Sequence, residues 1–186
     1  SLSQLVDLAR VFTTQPLPKG NRLGIITTSG SLGALSTDVA VSRGLTVPPL
    51  SSRMVNKVRE ISPDWMNVKN PLDIGPSGIY SKLLPMLLAD QEIDMVLAIM
   101  VIPYEAVRNF KSAGFRVRDW FGDIASIREQ YPDKPLVSVV IGHPEYLEDI
   151  ASLCGRSTPV FGSPEAAAQA LGALWSYSNF INLRCL

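Results

Sequence analysis

Leu23-Gly24-Ile25-Ile26-Thr27-Thr28-Ser29-Gly30-Ser31-Leu32-Gly33 is the stretch on which the fold turns. Leu23 to Thr28 is a short apolar run that ends in β-favouring threonines, and it reads as a first strand. Ser29-Gly30-Ser31 is a turn. Leu32, Leu35 and Val39 then recur at helical spacing as the inner stripe of a helix, and Gly44 stands where a capping glycine is expected at its end. A strand, a Gly/Ser turn and a helix in that order open a βαβ unit.

The same alternation continues on both sides of this stretch. Upstream, Ser3 is a candidate helix cap, Leu5, Leu8, Ala9 and Phe12 repeat at helical spacing, and Pro16 and Pro18 end that helix in a short linker. Downstream, Ser51 or Ser52 caps a short helix carrying Val55 and Val58. Residues 67–78 are rich in turn formers. Tyr80, Leu83, Leu84, Leu87 and Leu88 mark an amphipathic helix, in which Pro85 predicts a kink or a late start. Met95 to Val101 and Leu136 to Ile141 read as strands covered on both faces. Residues 104–118 mix helix and loop signals, and Trp120, Ile124 and Ile127 suggest a further helix. A helix over 145–153 and a last strand over Thr158 to Phe161 follow. Ser163-Pro164-Glu165 is a strong helix start, with Ala167, Leu171, Leu174 and Trp175 facing inward. Five such alternations, joined by right-handed crossovers, predict an α/β fold with an open, doubly wound parallel sheet.

Composition narrows the function classes. The 186 residues fit one domain of ordinary size, and 46% hydrophobic residues suffice for a core. Seventeen basic residues balance seventeen acidic ones, so no charge excess points to nucleic acid or to an acidic membrane. No apolar run approaches the roughly 20 residues that span a bilayer. Cys154 and Cys185 lack a metal-ligand spacing, leave a disulfide open, and suit a reducing cytoplasm. The chain opens inside a helical pattern with no leader and no initiator Met, which predicts an excised fragment.

In open α/β sheets, ligands bind beyond the carboxyl ends of the strands, which selects the turn after Thr27. There, glycines let a ligand approach the backbone, helix-end N–H groups and the dipole favour an anion, and Ser29 and Ser31 add hydroxyls. The turn is neither a Walker A loop nor a complete G-x-G-x-x-G fingerprint. Its small residues equally suit a tight strand-to-helix connection with no ligand.

Four blocks carry a family resemblance. Pro18-Lys19-Gly20-Asn21-Arg22 leading into Leu23 to Gly30, with Asp38 in the helix beyond, is one. Val68-Lys69-Asn70-Pro71-Leu72-Asp73, Asp94-Met95-Val96-Leu97, and Thr158-Pro159-Val160-Phe161-Gly162-Ser163-Pro164-Glu165-Ala166-Ala167 are the others. In this order they resemble the NDP-forming acyl-CoA synthetases. The resemblance implies a flavodoxin-like, three-layer αβα domain with a five-stranded parallel sheet over residues 18–182, after a leading helix and linker over 1–17. In that family a phosphohistidine carries a phosphoryl group between an acyl phosphate and ADP, held between two helix N-termini. The implied phosphate-binding residues are Thr28, Ser29, Gly30, Ser31, Leu32 and Gly33, with Asp38, Asn70 and Asp73 in support.

The chain departs from the family pattern at Thr28, Ser29 and Ser31, where Asn and more Gly are usual. It also lacks the Ser-His-Thr-Gly motif of the phosphohistidine. The resemblance therefore implies no catalytic residue in this chain and no metal site. CoA, ADP or ATP, and Mg belong to a complete enzyme, and the implied partners are CoA-binding and ATP-grasp domains.

His143, the only histidine, reads as a turn residue after a strand. Asn70 and Asp73 orient the phosphate loop, contact a neighbouring domain, or form an Asx turn. Asp38, taken as one turn into its helix, binds a backbone group or partner, or lies on a solvated face. Asp123 and Glu129 have no matching acceptor site. Trp120, Phe121 and Trp175 read as core or interface, and Arg116 and Arg118 as solvated surface. Two other functions remain open: a synthetase-like ligand sensor within a protein lysine acetyltransferase, and a flavodoxin-like interaction module.

Overall fold

A computed structural model describes residues 1–114 and 116–184. Cys185 lies outside the described residues. In chain order the elements are α1 (Leu2–Thr14), β1 (Leu23–Thr27), α2 (Gly30–Ser42), α3 (Ser52–Arg59), β2 (Leu72–Asp73), α4 (Tyr80–Ala89) and β3 (Met95–Ile102). Then come α5 (Tyr104–Ser112), α6 (Val117–Phe121), α7 (Ile124–Glu129), β4 (Leu136–Gly142), α8 (Pro144–Cys154), β5 (Val160–Phe161) and α9 (Pro164–Arg184).

The five strands form one parallel sheet in the order β2-β1-β3-β4-β5. This is the flavodoxin-like order, whose switch point lies between β1 and β3. Strand side chains alternate between two cores. Ile26, Val96, Ala98, Met100 and Leu136 face α3 to α8. Leu23, Ile25, Leu97, Ile99 and Val137 face α1, α2 and α9. Burial on both faces explains the unbroken apolar runs.

Several local expectations are corrected. The cap of α1 is Ser1, not Ser3: the Ser1 hydroxyl accepts from the Gln4 N–H, and Gln4 returns the bond. The fully buried face of α2 is Gly33, Ser36 and Ala40; of the expected stripe, Leu32 and Val39 pack partly buried beside it and Leu35 is exposed. Small residues win there because α2 packs closely on its neighbours. A Cβ on Gly33 would meet Pro71 and Thr27 at 3.1 Å, and one on Gly172 of α9 would meet Arg43 Cβ at 2.6 Å.

The helix expected around Trp120, Ile124 and Ile127 is two helices, because Gly122 at φ +79° breaks the path and Asp123 caps anew. α4 starts at Tyr80 and runs through Pro85, so there is no late start. A two-residue strand, β2, lies within the turn-rich 67–78 segment. The last strand is shorter than expected, Val160–Phe161.

The Pro16–Pro18 linker is tied into the sheet. The Leu136 N–H donates to Gln15 Oε1 at 2.8 Å, and Gln15 Nε2 donates to Ser157 O at 2.7 Å. Val11 is the one fully buried apolar side chain of α1 among the described residues. Its burial contributes only about 1.5–3 kcal/mol, so α1 is held lightly by its own apolar contacts.

Candidate functional site

The turn after β1 owes its shape to two threonines. The Thr27 hydroxyl accepts from the Ser29 N–H at 2.9 Å and donates to Ser29 O at 2.8 Å, which folds the chain sharply out of the sheet. Thr28 continues the ladder with its side chain. Its Oγ1 accepts from the Val101 N–H at 2.9 Å and donates to Val101 O at 3.3 Å. The Thr28 hydroxyl thus joins β1 to β3 across the switch point and is engaged within the protein.

Ser29 occupies the cap position of α2 in extended backbone, yet no side-chain hydrogen bond caps the helix. The first N–H groups of a helix have no intrahelical acceptor, so Gly30, Ser31 and Leu32 present free amide donors at this end. The Gly33 N–H, by contrast, bonds Ser29 O at 3.1 Å, and Gly33 serves mainly as a packing glycine. Ser29 Oγ and Ser31 Oγ lie 3.2 Å apart at the rim. Gly30 and Ser31 are exposed, and Leu32 is half-buried. Amide donors, two hydroxyls and a positive dipole end therefore meet at one accessible point.

The supporting residues separate by role. Asn70 closes the outer edge of β1 where β2 is too short to do so. The Ile25 N–H donates to Asn70 Oδ1 at 2.9 Å, and Asn70 Nδ2 donates to Leu23 O at 2.8 Å and to Pro48 O at 3.0 Å. The Asn70–Pro71 peptide is cis. Asp73 follows in β2 and accepts from the Gly75 N–H at 3.1 Å through Oδ1, an Asx turn.

The other Asp73 oxygen reaches the head of α2. A Cβ on Gly30 would lie 2.6 Å from Asp73 Oδ2. Glycine at position 30 lets the carboxylate sit there, where the dipole favours it and where it faces any incoming anion. Asp38 is exposed and lies more than two turns into α2, about 12 Å from its head at 1.5 Å per residue, not one turn. Helix geometry therefore separates Asp38 from the turn.

Asp73 is one of the residues the sequence offers as support for the phosphate loop, but its contact with Gly30 has no local signature. The signal available was the Asn70-Pro71-Leu72-Asp73 block, which becomes informative once its segment is seen as the strand beside β1. His143 follows β4 and packs on Tyr104, with ring centroids 4.6 Å apart. Trp120 and Phe121 stack at 5.9 Å, and Trp120 and Trp175 pack on the two cores. Arg116 and Arg118 are exposed and pair with Asp119 and Asp123.

An apolar cavity of about 220 Å³, lined by Pro76, Val107, Val117 and Trp120 among others, does not include the turn. Among the described residues no cluster of His, Cys, Asp and Glu could hold a metal ion. No described helix is long and apolar enough to cross a membrane.

No family model matches the chain. The chain is 31% identical over 180 residues to the alpha subunit of acetate–CoA ligase [ADP-forming] II of Pyrococcus furiosus, covering 94% of this chain and 37% of that one. A crystal structure from Pyrococcus horikoshii OT3 superposes with a TM-score of 0.82 at 29% identity, over 96% of this chain and 40% of that one. An acetyl-coenzyme A synthetase of Ca. Korarchaeum cryptofilum, solved in complex with phosphate and ADP, shares the fold at a TM-score of 0.75 and 20% identity, over 100% of this chain and 39% of that one.

The chain thus spans about two fifths of the length of these proteins. Identity sustained along nearly the whole chain, on the same parallel fold, shows that it is homologous to part of the ADP-forming acetate–CoA ligases.

Proposed function

We propose that this domain holds a phosphoryl group, carried on the phosphohistidine of another domain, at the amino end of α2. The reaction served is acyl-CoA + ADP + phosphate = acid + CoA + ATP. The observation that carries the reading is the uncapped, accessible head of α2, placed at the carboxyl end of β1 beside the switch point. The ADP-forming ligase names of the relatives support the reaction class.

The chain's own contribution is electrostatic. In phosphoryl transfer, charge spreads over the equatorial phosphoryl oxygens, and fixed donors aimed at them stabilise it without reorganising. The amides of Gly30, Ser31 and Leu32 and the hydroxyls of Ser29 and Ser31 are those donors. Thr28 and Gly33 fix the turn against the sheet. Asp73 adds an acceptor beside the donors, which suits a ligand that also carries an N–H or P–OH. The nucleophilic histidine, CoA, nucleotide and Mg belong to CoA-binding and ATP-grasp domains outside this chain. The reading takes the cytoplasm as its compartment, in keeping with the free, buried Cys154 thiol.

The parent synthetase tests this. Gly30→Val places a side chain where ligand and Asp73 approach the helix. It is expected to lower the ADP-forming rate about a hundredfold or more while the enzyme still folds, on the scale of losing one oxyanion donor. Unchanged turnover, with only a lower melting temperature, assigns the turn a structural role instead.

A further inference from the structure

The cavity of about 220 Å³ opens at the carboxyl ends of β2 and β3. Pro76 and Gly78 line it from the connection between β2 and α4, Val107 from α5, and Val117, Trp120 and Phe121 from α6. Trp120 and Phe121 stack with ring centroids 5.9 Å apart, which gives the cavity an aromatic side. In open α/β sheets this is the end at which ligands bind, and a concave apolar cleft there is the ordinary form of a small-molecule site. Ser77, between Pro76 and Gly78, has a buried hydroxyl with no hydrogen-bond partner among the described residues. Arg116 and Asp119 also line the cavity, both exposed and paired at 3.0 Å. Their charges cancel, so the cavity selects an apolar body rather than a charge. A cavity of about 150 Å³ holds a benzene ring, so one of about 220 Å³ accommodates a ring with a short side chain. The cavity also shares its loop with the head of α2. Pro76 is three residues past Asp73, so at most about 11 Å of chain separates it from the carboxylate beside Gly30.

We propose that this cavity receives the apolar acyl group of the acid substrate, and that its size favours an aryl or similarly bulky acyl group over acetyl. The inference rests on the phosphoryl-transfer reading of the α2 head, because it takes the acid of that reaction as the ligand. A mouth of zero net charge suits a group that arrives both as a charged free acid and as an uncharged thioester. Water is a poorer occupant, since an ordered water needs about two to four polar partners and the apolar lining does not supply them. A neighbouring domain is a poorer occupant too. Contacts between domains spread over roughly 600–1,500 Å², whereas this cleft has room for little more than one ring.

Titration of phenylacetate into the isotope-labelled chain, followed by NMR, tests this. The backbone amides of Gly78 and Val117 and the Trp120 indole should shift saturably in the low millimolar range, the scale of a ligand of this size. Acetate should leave them still at the same concentrations. Val117→Trp narrows the cavity and should weaken phenylacetate about tenfold or more. Val117→Leu takes its place if circular dichroism shows that the larger side chain prevents folding. In the parent synthetase the same change should lower kcat/KM for phenylacetate relative to acetate by a similar factor. Shifts that stay flat to tens of millimolar, equal shifts with acetate, binding that survives the narrowing, or an unchanged kcat/KM ratio would each overturn the proposal. Phosphate shifts at Ser29 through Gly33 are read separately in the same chain, so failure of the acyl site is told apart from failure of the phosphoryl site.

Discussion

Replacing Asn70 with Ala removes three hydrogen bonds and separates the edge-closing role of this residue from any role in binding. Two of the bonds serve Leu23 and Ile25, residues with no exposed surface. Without Asn70, the Ile25 N–H and Leu23 O lose their side-chain partner, and β2 pairs only farther along, at Ile26 and Thr27. A buried backbone group left unsatisfied costs about 1–3 kcal/mol, so the pair predicts a loss of roughly 2–6 kcal/mol. The third bond, to Pro48 O, adds less because Pro48 is only half-buried. With a urea slope of about 2–3 kcal/mol/M for a domain of this size, the midpoint should fall by about 1 M or more. Asn70→Asp should lose at least as much at neutral pH, because it keeps the acceptor for Ile25 but turns an oxygen toward two carbonyls. A midpoint shift below about 0.3 M for Asn70→Ala would refute the reasoning, since the edge of β1 would then not depend on this side chain.

The Arg22–Asp94 ion pair at the amino ends of β1 and β3 predicts a pH dependence. Burial alone would push the Asp94 carboxyl up, but hydrogen bonds from the Arg22 guanidinium and N–H, with the charges of Arg22 and Lys134, outweigh it and hold it below the ordinary range. A depressed carboxylate stabilises the fold above its unfolded value, about 3.9, and loses that effect as pH falls through the folded value. The stability gap between the native chain and Asp94→Asn should therefore be full at pH 7 and narrow below about pH 4 in urea titrations. A constant gap contradicts the pairing. Burial also pushes the Cys154 thiol up to about 11. Its peptide should resist iodoacetamide at about pH 8 in the folded chain and react readily in denaturant, as read by mass spectrometry.

The long elements were legible because each left a periodic signal. β3 and β4 are apolar on both faces, and the Ser163-Pro164-Glu165 start of α9 uses the expected cap, the Ala166 N–H donating to Ser163 Oγ at 3.2 Å. β2 was not legible. Two residues give no periodicity, and Asn70 replaces the missing ladder with a side chain. Of the expected inner stripe of α2, Leu32 and Val39 pack partly buried against the core, but Leu35 is exposed, because close packing selects Gly33, Ser36 and Ala40 for the fully buried face. At the site, the Gly/Ser turn could be found from its position after the first strand. The engagement of Thr28 with Val101, and the Asp73 carboxylate against Gly30, depend on strands adjacent in space but distant in sequence, which local pattern does not reveal.

The central claim is that the head of α2 binds a phosphoryl group, and titrating inorganic phosphate into the isotope-labelled chain tests it most directly. Backbone amide shifts followed by NMR should move saturably at Ser29 through Gly33 and stay still along α1 and α9. The Gly30→Val chain should lose the response. Shifts that remain flat to tens of millimolar phosphate, or that spread over the surface without saturating, would contradict the account and leave the turn as a structural connection.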